Sequence, residues 1–597
     1  MTTRSSQATT MCEAFQNTVR DFASRTAVRT PGSPTGVSWA QYGERVRTIA
    51  SQLHTLGIGH GDTVAIMMTN RPEFHFVDTA AQHLGAIPFS IYNTSSADQI
   101  RFLFTDAANK VVICEKAFVP VLLEGAQETA VQHIVCIDGA PEGTRSLESV
   151  PPAAPAEFDF ERSWRAVAPG DVLTLIYTSG TTGAPKGVEL THAGMLAQVE
   201  GSELLMGVTA EDRIISFLPS AHVADRWSAH YIQTVCGNQV TCVANPKEVV
   251  GALADVRPTV FGAVPTVWQK VRVALLAAIE GEQSPVKKAL CKWAIATGQH
   301  VAAMSGRGKK PGLLLAAQFA VADKLVLGKI RNKIGLDQTR VALSGAAPIA
   351  PDVIKFFIGL GVPLSDAWGM SELSGLSTMS PDGEMRLGTV GRPAPGVRAK
   401  LADDGELLIA GPILMRGYRN RPEQTAEAID SEGWLHTGDI ATIDEEGYIT
   451  IIDRKKELII SAGGKNMSPA NIENAVKAAC PLISQVVAIG NDRSYNVALI
   501  VLDQEAVAAF AERRGISGEL SSVVASKELR ETLDRAVADA NQSLSRAEQI
   551  KRYRVLEEYW EPGSEVLTHT MKLRRKPIDA RYAADIEELY SAETVRA

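Results

Sequence analysis

Residues 177–188 read Tyr-Thr-Ser-Gly-Thr-Thr-Gly-Ala-Pro-Lys-Gly-Val, a run in which hydroxyls, glycines and a single lysine alternate. That mixture suits a polyanion. Glycines such as Gly180 let successive backbone N–H groups converge on anionic oxygens, the hydroxyls of Thr178, Ser179, Thr181 and Thr182 add donors, and Lys186 adds a fixed positive charge. The chemistry expected is that of a phosphate cradle. It is not the G-x-x-x-x-G-K-[ST] loop, because Pro185 and Gly187 flank Lys186 and no metal-binding hydroxyl follows the lysine. A Ser/Thr/Gly surface linker is the plainer alternative.

Further groups with chemical potential follow in order. The stretch 217–227, FLPSAHVADRW, carries His222, Asp225 and Arg226. The stretch 341–357, VALSGAAPIAPDVIKFF, reads as a strand, a tight turn at Gly345-Ala346-Ala347 and a helix starting near Pro348. Residues 364–375, LSDAWGMSELSG, bring together an aromatic face, Trp368, the small or flexible Gly369 and Met370, the hydroxyl of Ser371 and the carboxylate of Glu372. Between 432 and 473 stand Asp439, Arg454, Lys456, Gly463, Gly464 and Lys465. There TGD reads as a turn, GYITIID as an alternating strand, and Ser468-Pro469 as cap and first residue of a helix. THTMKLRRK at 568–576 holds Lys572 within what composition alone would call a solvated basic tail.

Several elements must position these groups. The apolar run Val172, Leu173, Leu175 and Ile176, bounded by Gly170 and Gly180, predicts a short buried strand entering the first loop. GVEL leads out of it to Thr191, the expected cap of a helix over 195–206. TVAIMM (63–68), KVVIC (110–114) and RIISFL (213–218) read as further strands alternating with helical stretches. QVVAIG and NVALIVLD are strands near the end, followed by a helix through SKELRETLDRAVADANQSL.

A chain of 597 residues is too long for one core, so at least two domains are expected. Apolar residues at 45% and charged residues at 21% describe an ordered globular protein, and 60 basic against 68 acidic residues give a charge of -8, too small a bias to imply nucleic acid. Seven scattered cysteines, with no C-x-x-C pair, point to a reducing cytoplasmic setting without a zinc site. The first residues lack the apolar core of a signal peptide. No apolar run reaches the roughly 18 residues of a membrane span; GLLLAAQFAVADKLVLG at 312–328, interrupted by Asp323 and Lys324, reads as a buried or amphipathic helix.

Taken in order, these segments resemble the motifs of the adenylate-forming (AMP-binding) superfamily, which includes acyl-CoA synthetases, peptide-synthetase adenylation domains and luciferases. The resemblance covers nearly the whole chain. It implies an α/β fold: a large N-terminal α/β domain with subdomains, residues 1–452, and a small mobile α+β C-terminal domain, residues 453–597. It also implies that Thr178, Ser179, Gly180, Thr181, Thr182 and Lys186 receive the β- and γ-phosphates of ATP, and that Gly345, Ala346 and Ala347 border adenine. Trp368 would stack on that ring, with Gly369, Met370 and Ser371 continuing the nucleotide site. Glu372 would bind Mg²⁺ with a hydroxyl contact from Thr178. Asp439 would accept from the ribose hydroxyls, Arg454 would contact the nucleotide, and Lys456 would sit at a hinge. Lys572 would be the catalytic lysine, offsetting repulsion between carboxylate and α-phosphate. After a domain rotation, Gly463, Gly464 and Lys465 would line a CoA channel. Two departures are visible: Trp368 stands where Tyr is commoner, and Ser371 where Thr is commoner.

Within the superfamily, 432–457 and the L-P-x-A-H-x-x-x-R pattern at 218–226 resemble long-chain fatty acyl-CoA synthetases, which would put His222 and Arg226 near the mouth of an acyl site. The helical stretch 270–335 resembles a region of the same class. Its Trp293 and aliphatic faces would serve an acyl tunnel or a lipid-facing surface, or only complete the core. The cluster Arg307, Lys309 and Lys310 could rest on anionic lipid as a peripheral membrane contact, or form an exposed loop. The implied reaction is ATP-dependent activation of a long-chain fatty acid to acyl-AMP, then thioester formation with CoA. Three alternatives stay open: transfer to an acyl carrier protein, adenylation of an amino acid whose ammonium meets Asp225, and a binding protein that kept only the fold. Oligomeric state stays open too.

Overall fold

Four short apolar runs, Thr63–Met67, Ile87–Ser90, Val111–Cys114 and Val172–Thr178, are buried along almost their whole length, as strands covered on both faces must be. The computed structural model describes residues 3–33, 35–154, 156–178, 184–306, 310–381, 384–463 and 465–591. Alternation along Thr63–Met67 sends Val64 and Ile66 into one core and Ala65 and Met67 into another. The helix Pro72–His83 covers the first side and Ala97–Ala107 the second. These strands form the middle of an eight-stranded sheet.

At one edge of that sheet the chain departs from the expected strand, loop and helix. GVEL belongs to a strand, Lys186–Thr191, antiparallel to Val172–Thr178, with Thr178 opposite Lys186. Only then does the helix His192–Met206 begin, with the Thr191 side chain accepting from the Gly194 N–H as expected. The phosphate-type sequence therefore runs between two antiparallel strands whose described ends, Thr178 and Lys186, are paired, and no helix starts directly after it.

A five-stranded sheet combines parallel strands Val260–Ala263, Val341–Ser344 and Leu364–Met370 with antiparallel Gly375–Met379 and Arg392–Pro393. The helix after Val341–Ser344 starts at Pro351, not near Pro348. Helices Pro265–Glu280, Pro285–Ser305 and Leu313–Ala322 lie beside this sheet, with Trp268, Ile279, Ile295 and Ala322 in its core. A four-stranded antiparallel sheet contains Leu435–Ile443 paired with Ile449–Arg454. TGD lies inside the first of these strands, at an irregular register, rather than in a turn before it.

From residue 459 onward two cores sandwich one strand. Along Asn496–Leu502 every residue is buried: Val497, Leu499 and Val501 face the C-terminal helices Arg575–Arg581 and Ala583–Ser591, while Ala498, Ile500 and Leu502 face Pro469–Ala479 and Lys527–Ser543. Ser468 caps Pro469–Ala479 through Asn471 N–H, and Ser526 caps Lys527–Ser543.

One polar group is set into the large domain's interior. Asp78, fully buried, lies 2.6 Å from Arg226 Nη1 and 3.0 Å from His230 Nε2, and His230 Nδ1 lies 2.9 Å from His75 Nδ1. Arg226 also donates to Ser220 O, Tyr231 Oη and Ser90 Oγ. Burial opposes charge on Asp78, but Arg226 and His230 outweigh it and hold its pKa below the ordinary value. Breaking such a pair strands the survivor's charge. Arg226→Met should therefore cost about 3–5 kcal/mol, read as a lowered urea midpoint, and the Asp78→Asn/Arg226→Met double variant should lose less than the sum of the single losses.

Candidate active site

Trp368 sits on Leu364–Met370 just before a register shift, where the chain passes so close to its neighbour that a Cβ on Gly369 would stand 1.8 Å from Gly375 O. Only glycine fits there. The kink turns Trp368 towards Asp439, and its indole N–H donates to Asp439 Oδ2 at 2.9 Å. Arg454, directly opposite Asp439 in the strand pair, places Nε 2.8 Å from Oδ1. Both oxygens of this buried carboxylate are thus engaged. Burial raises the Asp439 pKa, against the pull of Arg454, Trp368 and Lys572. Indole can only donate, so Trp368 adds a hydrogen bond to this acceptor as well as an aromatic face.

A second cluster joins the hairpin to the same strand. Ser371 and Glu372 lie buried in a short 3₁₀ turn, and Glu372 Oε1 accepts from Tyr418 Oη at 2.9 Å. Tyr418 comes from the two-residue strand Gly417–Tyr418, which pairs with Lys186–Thr191, and the Lys186 ammonium lies 4.5 Å from its ring centroid. Tyr418 therefore separates a cation from an anion. Thr178 is half-buried at the base of the hairpin. Ser179, Gly180, Thr181, Thr182 and Gly464, and Arg307 and Lys309 of the basic cluster, lie outside the described residues. Gly345, Ala346 and Ala347 form the bend after Val341–Ser344; Ala346 and Ala347 are exposed, and Ala346 holds a left-handed φ of 67°. Met370 closes its strand, half-buried.

Lys572 reaches this region from the other end of the chain. Its turn is closed by Thr568 N–H to Lys572 O at 2.9 Å and by Lys572 N–H to Thr568 Oγ1 at 3.0 Å. Crowding by protein lowers the ammonium pKa, as does Arg454, whereas Asp439, Glu372 and Glu457 raise it. Lys572 itself is exposed. His222, half-buried, feels it as well: burial, then the Lys572 charge, pushes the imidazole pKa down to about 4. The ring is neutral at pH 7, and because Nδ1 accepts from Ala224 N–H, its proton resides on Nε2. Lys456 is exposed in the turn after Ile449–Arg454. Gly463 and Lys465 stand between the short strands Ile459–Ile460 and Asn466–Met467, where Lys465 Nζ donates to Ser545 Oγ and Ala462 N–H to Arg493 O.

Arg226, expected near the mouth of an acyl site, is fully buried; it pairs with Asp78 and donates to Ser220, Tyr231 and Ser90. Asp225 is likewise buried, accepting from Ser216 Oγ and Asn70, and is not placed to meet a substrate ammonium. Trp293 lies on the outside of its helix. Tyr418 and Asp78 escaped the sequence reading, since an isolated Gly-Tyr pair and a mid-helix Asp carry no local signal.

No group of three or more His, Cys, Asp or Glu side chains gathers to hold a metal among the described residues. The oxygens present, Glu372 and the hydroxyl of Thr178, instead suit a magnesium ion that arrives with phosphate and keeps most of its waters. Burial pushes the Asp225 carboxyl up to about 7, against an unfolded value near 3.8. Its contribution to stability is present at low pH and is lost as pH rises through 7. Compared with the natural protein, Asp225→Asn should gain a few kcal/mol in relative stability between pH 4 and pH 8, measured as the difference in urea midpoints.

Comparison with known proteins places the chain in a family. Residues 15–419 match the AMP-binding enzyme family and residues 456–594 the AMP-binding enzyme C-terminal domain. The putative fatty-acid–CoA ligase fadD11 of Mycobacterium tuberculosis is 49% identical over 452 residues, 76% of this chain and 79% of the relative. The long-chain-fatty-acid–CoA ligase FadD15 of Mycobacterium bovis is 34% identical over 94% of this chain and 93% of the relative. Among solved structures, the adenylation domain of a carboxylate reductase from Mycobacterium chelonae superposes with a TM-score of 0.72 at 21% identity, covering 98% of this chain and 91% of that one, a likeness of fold. The chain belongs to the AMP-binding enzyme family, with the family's C-terminal domain following the larger one.

Proposed function

We propose that this protein is a long-chain-fatty-acid–CoA ligase that forms AMP and pyrophosphate. The observation that supports the reading best is Asp439, a buried carboxylate held by Trp368 and Arg454, on which the charge of Lys572 also acts. A carboxylate is a poor electrophile, and two anions must approach each other before it can be activated. A fatty-acid oxygen attacks the α-phosphorus of ATP, the bond to the β-phosphate oxygen breaks, and pyrophosphate leaves. The CoA thiol, losing its proton, then attacks the acyl carbonyl; the bond to AMP breaks, and the thioester forms.

Each group has a role in this scheme. Lys572 offsets the repulsion between carboxylate and α-phosphate. Trp368 stacks on adenine beside Gly345, Ala346 and Ala347, and Gly369, Met370 and Ser371 continue the nucleotide wall. Asp439 receives the ribose hydroxyls in exchange for its present partners, with Arg454 alongside. Lys186 and the hairpin hydroxyls hold the outer phosphates, steadied by Tyr418. Magnesium bound with the nucleotide supplies neutralising charge there, for which Glu372 and Thr178 offer oxygens. His222 presents Nε2–H to the acyl carboxylate. We place the hinge at the exposed turn around Lys456, between domains 1–452 and 453–597; rotation there withdraws Lys572 and brings Gly463, Gly464 and Lys465 to the CoA path.

CoA is preferred to a carrier protein as acceptor because the relatives matched over most of their length are named CoA ligases. The natural protein should make thioester from long acids in a chain-length series with ATP, Mg²⁺ and CoA. Lys572→Ala should slow acyl-AMP formation by about 100-fold or more yet still transfer the acyl group from supplied acyl-AMP. Pyrophosphate without thioester would move the acceptor to a carrier protein.

The helical layer also suggests a peripheral membrane contact. No described helix is long and apolar enough to cross a membrane. Leu313 and Leu314, however, are 93% and 76% exposed, beside exposed Val321 and Leu325 and near Lys310 and Lys324. Such a face can rest on an anionic bilayer that also holds the substrate. Replacing Leu313 and Leu314 by Asp should lower co-sedimentation with phosphatidylglycerol vesicles several-fold; unchanged sedimentation would remove this contact from the proposal.

A further inference from the structure

The turn that carries Lys572 has a second residue with an unexplained setting. His569 stacks on Tyr92 with ring centroids 4.7 Å apart and planes 10° from parallel, and its Nδ1 lies 2.7 Å from Thr94 Oγ1. Tyr92 and Thr94 belong to the loop after Ile87–Ser90, in the large N-terminal sheet. The contact therefore spans some 475 residues of sequence. Space is kept for the ring: a Cβ on Gly563, whose φ is +82°, would stand 2.5 Å from Nδ1.

Both sides of the contact are stiff. On one side, Thr568 bonds Lys572 through its own N–H and through Oγ1, Met571 N–H bonds Thr568 O, and Met571 adopts a left-handed φ of 64°. Such a closed turn cannot shift His569 without shifting Lys572. Three residues further on, Arg575 grips Glu473 with bonds of 2.7 and 3.0 Å. On the other side, Ser90, at the root of the partner loop, accepts from buried Arg226. Burial and then Arg574 push the His569 pKa down to about 4, so the ring is neutral near pH 7.

We propose that His569 is a positioning residue for the adenylation step, clasping Tyr92 and Thr94 so that the closed turn holds Lys572 over the site. The proposal rests on the ligase reading above. It ties the first half-reaction to a contact that must break before the second, so its loss should affect the two unequally.

The full chain with His569→Ala, His569→Asn, Thr94→Ala or Tyr92→Leu would be assayed for acyl-AMP formation without CoA and, separately, for thioester formation from supplied acyl-AMP. His569→Ala should slow the first about tenfold and leave the second unchanged or faster. Thr94→Ala and Tyr92→Leu should follow it in part, and adding Thr94→Ala to His569→Ala should bring little further loss. His569→Asn, whose amide can reach Thr94, should recover much of the rate. Trypsin cleavage at Lys455, which pairs with Asp404 and Glu406, and at exposed Lys456 supplies a readout without catalysis. It should quicken several-fold in His569→Ala. Equal losses in both half-reactions, an unchanged adenylation rate, or unchanged cleavage would overturn the clasp. Failure of the natural protein to form acyl-AMP would overturn the ligase reading instead, with the cleavage comparison still deciding the clasp.

Discussion

The carboxylate of Asp439 is where separate parts of the molecule become one site. Its oxygens take Trp368 from the mixed sheet and Arg454 from the strand that leads to the C-terminal module, and the Lys572 charge acts on it from beyond. A buried carboxylate without partners would protonate and cease to attract any of them. The kink at Gly369, the irregular register around Asp439 and the closed turn at Lys572 can all be read as ways of bringing donors to this one acceptor. A ribose offers two hydroxyl donors in place of the present pair, so nucleotide binding at Asp439 would be an exchange of hydrogen bonds rather than a new burial of charge.

Electrostatics also organises the opposite side of the cleft. Lys186, the Tyr418 ring and Glu372 form a series of cation, aromatic hydroxyl and anion, which keeps the lysine from collapsing onto the carboxylate. Tyr418 can do this only because its short strand pairs with the edge of the hairpin, and that edge is anchored in turn by Tyr177 and Arg421, which both meet Asp106.

How much of this was legible beforehand depends on the distance over which each feature is encoded. Caps at Thr191 and Ser468 were readable because a hydroxyl and the N–H it serves lie three residues apart. Strands buried on both faces were readable as unbroken apolar runs. Lys572 stood out only through its place in an ordered set of motifs, since composition alone made it part of a basic tail. GVEL was misjudged because four residues after a glycine-rich loop do not reveal that they fold back on the strand before it. TGD was misjudged because glycine permits a strand irregularity as readily as a turn. Arg226 was expected near the mouth of an acyl site through the resemblance of its motif; that it pairs with Asp78, far away in sequence, carries no local signal. Tyr418 and the Tyr92–His569 stack arise only from packing between distant segments.

The strand Asn496–Leu502, covered on both faces by helices, makes the C-terminal module internally stiff. Whatever rotation occurs at the turn beside Lys456 must carry that module as one lever. A small angular error at the pivot then becomes a larger displacement at the far end, where, in the proposed reaction, Lys572 would have to meet an α-phosphate. A pivot alone is poor at fixing such a tip, and a stop placed next to the tip is good at it. The mechanical precision of the arm would accordingly be set at its end, by the surface it lands on, leaving the pivot free to be loose.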